Sequence, residues 1–361
     1  MKKSKIIIPL DFNKEDLATI FSYSEKRYIV KDGQGKDCQL TTLSSYIAHY
    51  FDQTLLRDHH KGAWSQVLLN NKGEYFLKMF CEHADLSPYE KLVPEMLKVA
   101  KIGVEIFKKE VVGDQVDCPV EFLLPFGLSM ANTKSVQLLH YPPLESLVYL
   151  DYLYSPTNRR WENLLGFNAE HQNNFSELET IIDIVPLAAP GDDGKDLETY
   201  THTFTDYIKA MLRIKLSSAD NKTQPLVAYG GPVRSWLCGN DAYGDQINED
   251  LKVLSLLNLN ILEDGSITPV LCANHPSQYL YMTDQGSSQT KIDVMTQDLI
   301  VAGWQLEMSN NPHLNAKRVL KEMIKYWNNN LDKVKEIMDI QDKEYGYDGM
   351  QTEIDYYASQ K

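Results

Sequence analysis

At 361 residues the chain is long for one core and short for three, so two domains or one elaborated domain is expected. A hydrophobic content of 43% with 10% aromatics excludes a disordered chain. A net charge of −14, from 36 basic and 50 acidic residues, argues against polyanion binding over the whole surface and leaves room only for a local basic groove.

No apolar run reaches the length needed to cross a bilayer, and the apolar part of the basic start, Met1 to Pro9, is too short for a signal peptide. The five cysteines, Cys38, Cys81, Cys118, Cys238 and Cys272, are scattered and contain no C-x-x-C pair. That spacing reads as reduced thiols of a cytoplasmic protein, with neither a metal motif nor a disulfide framework.

In chain order, residues 1–130 mix short strands with helices. Ile6 to Phe12 reads as a strand, Lys14 to Glu25 as a helix, Leu40 to Leu56 as a second helix capped by Thr41 or Thr42, and Pro88 to Lys109 as a longer one. The only chemical features here are His59-His60 and His83-Ala84-Asp85, which read as solvated surface.

From Ser135 the pattern changes. Val136 to Leu139 predicts a short strand running into His140-Tyr141-Pro142-Pro143, and Thr180 to Val185 a second. Leu197 to Leu216 has helical periodicity, with Tyr200, Phe204, Tyr207, Ile208 and Met211 on one face. Pro225 to Gly231 predicts a third strand ending in glycines, and a helix follows from Pro232. Ile267 to Ala273 predicts a fourth, Thr296 to Met308 and Lys317 to Asn328 closing helices, and the tail after Gln341 is acidic and tyrosine-rich. Strands separated by helical stretches imply βαβ units. The expected fold is therefore α/β, a central, mainly parallel four-stranded sheet flanked by helices. Residues 1–130 form an α+β extension, 131–335 the α/β domain and 336–361 the tail.

Three of these strands end in conspicuous turns: His140-Tyr141-Pro142-Pro143, Gly230-Gly231-Pro232 and Asn274-His275-Pro276-Ser277. In a parallel sheet such ends line one edge, where ligand sites collect. Histidine there can donate to developing charge or titrate near neutral pH. The bland reading of His275 alone is a His-Pro turn without chemistry. Between the first two turns, Pro156 and Asn158 can open a helix that brings Asn158 and Arg159 toward the same edge, while Trp161, Trp236, Trp304 and Trp327 fall at helical core positions. Arg159, Arg160, Lys291, Lys317, Arg318, Lys321 and Lys325 form a modest basic set, the last four reading as a solvated helix face.

This order resembles the uracil-DNA glycosylase superfamily, particularly its mismatch-specific and single-strand-selective branches. Those proteins have a first motif with proline, a P-x-N-R-F-W-x-x-L-x-x-G-F-like segment, a strand like Leu226 to Gly231, and a strand ending in His-Pro-Ser. Pro156-Thr157-Asn158-Arg159-Arg160-Trp161 with Leu164, Leu165 and Gly166 is the closest local match, with Arg160 where the family has an aromatic residue. The resemblance covers about residues 130–330. It implies hydrolysis of the N-glycosidic bond of a base flipped from DNA, with no cofactor.

By that resemblance His275 hydrogen-bonds the leaving base, Ser277 contacts a phosphate, and backbone near Pro142 and Pro276 pinches the strand. Asn158, Arg159, Gly230 and Asn274 line the substrate, and Tyr279 or Leu280 is the wedge that fills the stack. The departure is the first motif, where His140 and Tyr141 replace the family's carboxylate or asparagine. His140 is a candidate base and Tyr141 a candidate stacking partner; Glu145 or Asp151 could replace the carboxylate. Two other readings stay open. One is a catalytically silent glycosylase-like module that binds nucleic acid, or a protein through residues 1–130. The other is a specialised enzyme for a modified base, in repair or in conflict between bacteria and phage. Ser135 to Pro143 also resembles a segment of 2-oxoglutarate iron oxygenases, but the only H-x-D is His83-Ala84-Asp85, upstream and far from His275.

Overall fold

A computed structural model of the protein describes residues 29–31, 37–39, 93–114, 120–122, 134–141, 156–168, 179–188, 197–217, 224–238, 249–251, 254–280 and 288–345. The expected elements at Ile6 to Phe12, Lys14 to Glu25 and Leu40 to Leu56 lie outside these residues, as do His59, His60, His83 and Asp85. The chain divides into two compact units that cross the expected boundary near residue 130. One comprises Met1–Asn132, His140–Leu153 and Ile182–Ser218; the other comprises Thr133–Leu139, Tyr154–Ile181 and Ala219–Lys361.

In the first unit, β1 (Ile29–Lys31) and β2 (Asp37–Gln39) pair antiparallel. Helix α1 (Val93–Ile106) widens into a π-helical turn at Phe107–Val112. Strand β3 (Glu121–Phe122) pairs antiparallel with a short later strand at Leu187–Ala188. The packing centre is Phe122, whose ring lies 5.4 Å from Phe107, 5.7 Å from Phe204 and 5.6 Å from Tyr207. Such offset and tilted pairs add to simple area burial. Gly103 makes the approach feasible, since a Cβ there would sit 2.6 Å from the Phe122 ring and 2.7 Å from that of Tyr207. Both rings are fully buried and cannot swing aside. Gly103→Ala is therefore expected to lose about 1–3 kcal/mol through overpacking, checked by the shift in denaturation midpoint.

The second unit holds most of the sheet. With β4 (Ser135–Leu139), β5 (Glu179–Asp183), β6 (Leu187–Ala188, of the first unit), β7 (Leu226–Tyr229), β8 (Glu249–Leu251), β9 (Leu254–Leu259) and β10 (Thr268–Ala273), the order across the sheet is β5-β4-β7-β10-β9-β8. β7 runs parallel to both β4 and β10. β9 runs antiparallel to β10 and to β8. The sheet is thus six-stranded and mixed, a correction to the four strands expected. The missed β9 reads Leu-Ser-Leu-Leu-Asn-Leu, rich in a good helix former and without β-branched residues. Its strand state comes from pairing with β10.

Helix α2 (Pro156–Asn168) starts where expected. α3 (Thr205–Ser217), in the first unit, starts later than Leu197, which opens a 3-10 turn instead. α4 (Gly231–Cys238) follows β7. α5 (Ser288–Asn310) begins eight residues before Thr296 and packs on α2, β7, α6 (Ala316–Asn328) and α7 (Leu331–Tyr345). From Val294 to Ser309 nearly every α5 residue is buried, which is why it shows no simple amphipathic stripe. All four helical tryptophans are buried; Trp327 Nε1 donates to Asn168 Oδ1 at 3.3 Å and Trp304 Nε1 to the Ala316 carbonyl at 3.0 Å. Lys317, Arg318, Lys321 and Lys325 are exposed on α6. α7 runs through Tyr345, crossing the boundary expected at residue 336. Among the described residues no helix is long and apolar enough to cross a membrane.

Candidate functional site

β10 is buried from Thr268 to Cys272. Pro269 lies inside it rather than bounding it, before pairing with β7 begins at Val270, where a missing N–H is tolerated. The carboxyl ends of β7 and β10 are tied by the Gly230 N–H, which donates to the Ala273 carbonyl at 2.8 Å. Gly230 has φ +88°, a conformation glycine adopts without penalty, and this turns the chain directly into α4.

Past Ala273 the chain enters a tight turn. His275 is extended (φ −65°, ψ 135°) and caps a 3-10 turn over Pro276–Gln278. Its Nδ1 accepts from the Ser277 backbone N–H at 3.2 Å and lies 2.6 Å from Ser277 Oγ. A backbone N–H can only donate, so Nδ1 is an acceptor and the neutral ring, assigned from these donors, carries its proton on Nε2. The Tyr229 ring meets the imidazole edge-on at 6.5 Å. The Gln278 N–H donates to the His275 carbonyl at 2.9 Å and the Leu280 N–H to that of Ser277 at 2.9 Å.

The turn is anchored from behind by α2 and α5. Arg160 is fully buried; its Nη1 donates to the Pro276 carbonyl at 3.0 Å and its Nη2 to Asp298 Oδ2 at 2.5 Å. The guanidinium also stacks 4.3 Å above the Tyr279 ring. Burial raises the Asp298 carboxyl above its ordinary range, while the charge and hydrogen bond of Arg160 pull it back. Asn274 Nδ2 donates to Gln297 Oε1 on α5 at 3.4 Å.

Arg160 therefore holds the turn in place and is not a surface contact for nucleic acid, a correction to its place in the basic set. Tyr279 and Leu280 are 3% and 9% exposed, so neither projects as a wedge. The 3-10 turn curls the chain back, and the Tyr279 hydroxyl donates to Asp342 Oδ1 on α7 at 2.6 Å. Burial raises the phenol well above its usual range, and Asp342 adds to this. Cys272, two residues before the turn's Asn274, is buried, and that burial pushes its thiol up to about 12.

Asn274, His275, Ser277, Tyr279, Leu280 and Gly230 thus gather at the ends of β7 and β10. Asn158 and Arg159 belong to the first turn of α2, but their side chains lie outside the description. Pro142, Glu145 and Asp151 also lie outside it. His140 and Tyr141 belong to the other unit, their rings 4.9 Å apart. There the Thr201 hydroxyl donates to the Glu198 carbonyl at 2.7 Å, so its oxygen accepts from His140 Nε2 at 3.3 Å. Burial lowers the His140 pKa, and the Glu198 charge partly opposes that. Asp298 and Asp342 went unread in the sequence, although an aspartate amid the apolar run Leu299-Ile300-Val301-Ala302 signals a buried partner. Among the described residues no group of three His, Cys, Asp or Glu is placed to hold a metal ion.

Fold and turn define an α/β protein with the His275 imidazole at the carboxyl edge of its parallel strands. No protein-family model matches the chain, and no curated protein matches it either.

Proposed function

We propose that the His275 turn recognises a nucleobase and that the protein is DNA glycosylase-like, acting on a flipped-out, modified or damaged base. The observation that carries this reading is the fixed tautomer. Ser277 occupies Nδ1, which makes Nε2 a hydrogen-bond donor held on the turn that follows β10. Departure of a base leaves negative charge on a ring oxygen, and a preorganised neutral donor stabilises that charge without changing its own protonation. The partner is DNA, single-stranded or with the base out of the stack, and the chemistry needs no cofactor.

The second reading is recognition without hydrolysis. It is supported by the absence of a carboxylate at His140-Tyr141 and by His140 Nε2, which is committed to Thr201.

The test uses oligonucleotides carrying uracil, hypoxanthine or hypermodified cytosines, with abasic sites scored. His275→Ala is expected to lower their formation about a hundred- to a thousandfold, the usual loss for one removed oxyanion donor. Tight binding with no abasic product on any substrate supports the silent module. Neither product nor binding overturns both readings. Turnover of 2-oxoglutarate with added Fe(II) would point instead to the oxygenase resemblance.

A further inference from the structure

Helix α7 packs on α2, α5 and α6 and reaches Tyr279, at the end of the His275 turn, with its polarity reversed there. Val334, Ile337 and Gln341, spaced i, i+3 and i+7, form the buried stripe of α7, at 0%, 2% and 0% exposure. Neither the amide nitrogen nor the oxygen of Gln341 has a hydrogen-bond partner among the described residues. One position back, about 100° around the helix, Ile340 is 38% exposed. An amide is therefore buried without partners while an isoleucine faces water, the opposite of what burial favours.

Polar contacts hold this end of α7 instead. Asp342 accepts from the Tyr279 hydroxyl at 2.6 Å through one oxygen and from Lys291 Nζ at 2.8 Å through the other. Tyr279 lies between the Arg160 guanidinium, at 4.3 Å, and the Lys291 ammonium, at 5.4 Å from the ring. It directly follows Pro276–Gln278, so Asp342 links α7 to the end of the turn.

We propose that the last turns of α7 form a gate on the His275 site, held shut by Asp342 and kept reversible by the unsatisfied amide of Gln341. Shut, the gate buries Tyr279. Open, it frees the Tyr279 hydroxyl at the end of the His275 turn, adding a polar-tipped aromatic near where the proposed function puts a base, and that consequence rests on the proposed function. A gate of this kind shows as local opening of the turn without unfolding of the sheet.

Two variants act in opposite directions. Asp342→Asn keeps the shape and removes the charge, and is expected to speed amide exchange at Gln278 and Leu280 about tenfold while β7 and β10 keep their protection. Gln341→Leu replaces the orphaned amide by an apolar group of similar size, and is expected to slow the same exchange about tenfold and raise the Tm. Unchanged exchange at the turn in both variants overturns the gate. So does faster exchange spread through β7 and β10 in Asp342→Asn, which is general loss of stability.

Binding of the same single-stranded oligonucleotides separates the two levels. The gate acting on a DNA site raises affinity in Asp342→Asn and lowers it in Gln341→Leu. Exchange that shifts as expected with DNA binding unchanged keeps the gate and removes the DNA reading. Binding that changes while exchange at the turn stays fixed overturns the gate.

Discussion

Asp298→Asn is expected to destabilise the protein by about 3–5 kcal/mol, the range for removing one partner of a buried ion pair. Arg160 is fully buried, so the substitution leaves an uncompensated guanidinium beneath the turn. Arg160→Met should cost less at acid pH, because the orphaned Asp298 can take up a proton. Burial raises its folded pKa, and without Arg160 nothing opposes that rise. A carboxyl whose folded pKa lies above its unfolded one stabilises the fold while protonated, so stability of the Arg160→Met variant falls as pH rises from the unfolded value through the folded one. Urea denaturation between pH 4 and 8 reads both effects. The double variant Arg160→Met, Asp298→Leu should recover much of the stability, since well-packed apolar residues can replace a buried pair. It does not restore the donor to the Pro276 carbonyl, so amide exchange at Gln278 and Leu280 stays fast. A double variant whose turn is as protected as in the parent protein would show that Arg160 contributes packing alone.

The second large effect is a rise in stability from neutral to mildly alkaline pH, set by Lys215. This residue sits on α3 at 1% exposure, and burial lowers its pKa from 10.5 to about 7. Between those values the unfolded chain carries a proton that the folded one has released, so stability increases with pH. The gain from pH 7 to pH 9 is about 2 kcal/mol, and the full cost of holding the charged form is on the order of 5 kcal/mol. Above pH 9 the trend reverses. The Cys272 thiol, raised to about 12, and the Tyr207 and Tyr279 phenols, also raised, keep protons in the fold that the unfolded chain gives up. Stability should therefore peak near pH 9. Lys215→Met should be more stable at pH 7 and lose the rise toward pH 9 while keeping the fall above it. Denaturant midpoints at pH 7, 8 and 9 for both proteins check this, and a rise retained in the variant would trace it to another group.

Where apolar runs and punctuation agreed, the fold was legible. β10 and the His275 turn lie where Val270 to Ala273 and Pro276 indicated, and Gly230 ends β7 with the positive φ that a Gly-Gly pair suggests. β9 was not legible, because its leucines favour a helix in isolation and only the neighbouring strand makes them a strand. Within the site, His275 and Ser277 were readable as neighbours two residues apart. The Arg160–Asp298 pair was not, because its partners are 138 residues apart and an arginine beside Arg159 looks like surface charge. Tyr279 failed for the same reason: an aromatic after a turn reads as exposed, and its burial depends on Asp342 a further 63 residues along.

The sequence by itself determined four of the six strands of the sheet, the glycine turn, the helical tryptophans and the position of the His-Pro-Ser turn, all consequences of local propensity and punctuation. The tertiary structure alone decided that Arg160 braces the turn, that Tyr279 is held inward, and that Gln341 is buried while Ile340 is not. Those outcomes depend on which distant charges and surfaces meet, and on the cost of leaving any of them buried without a partner.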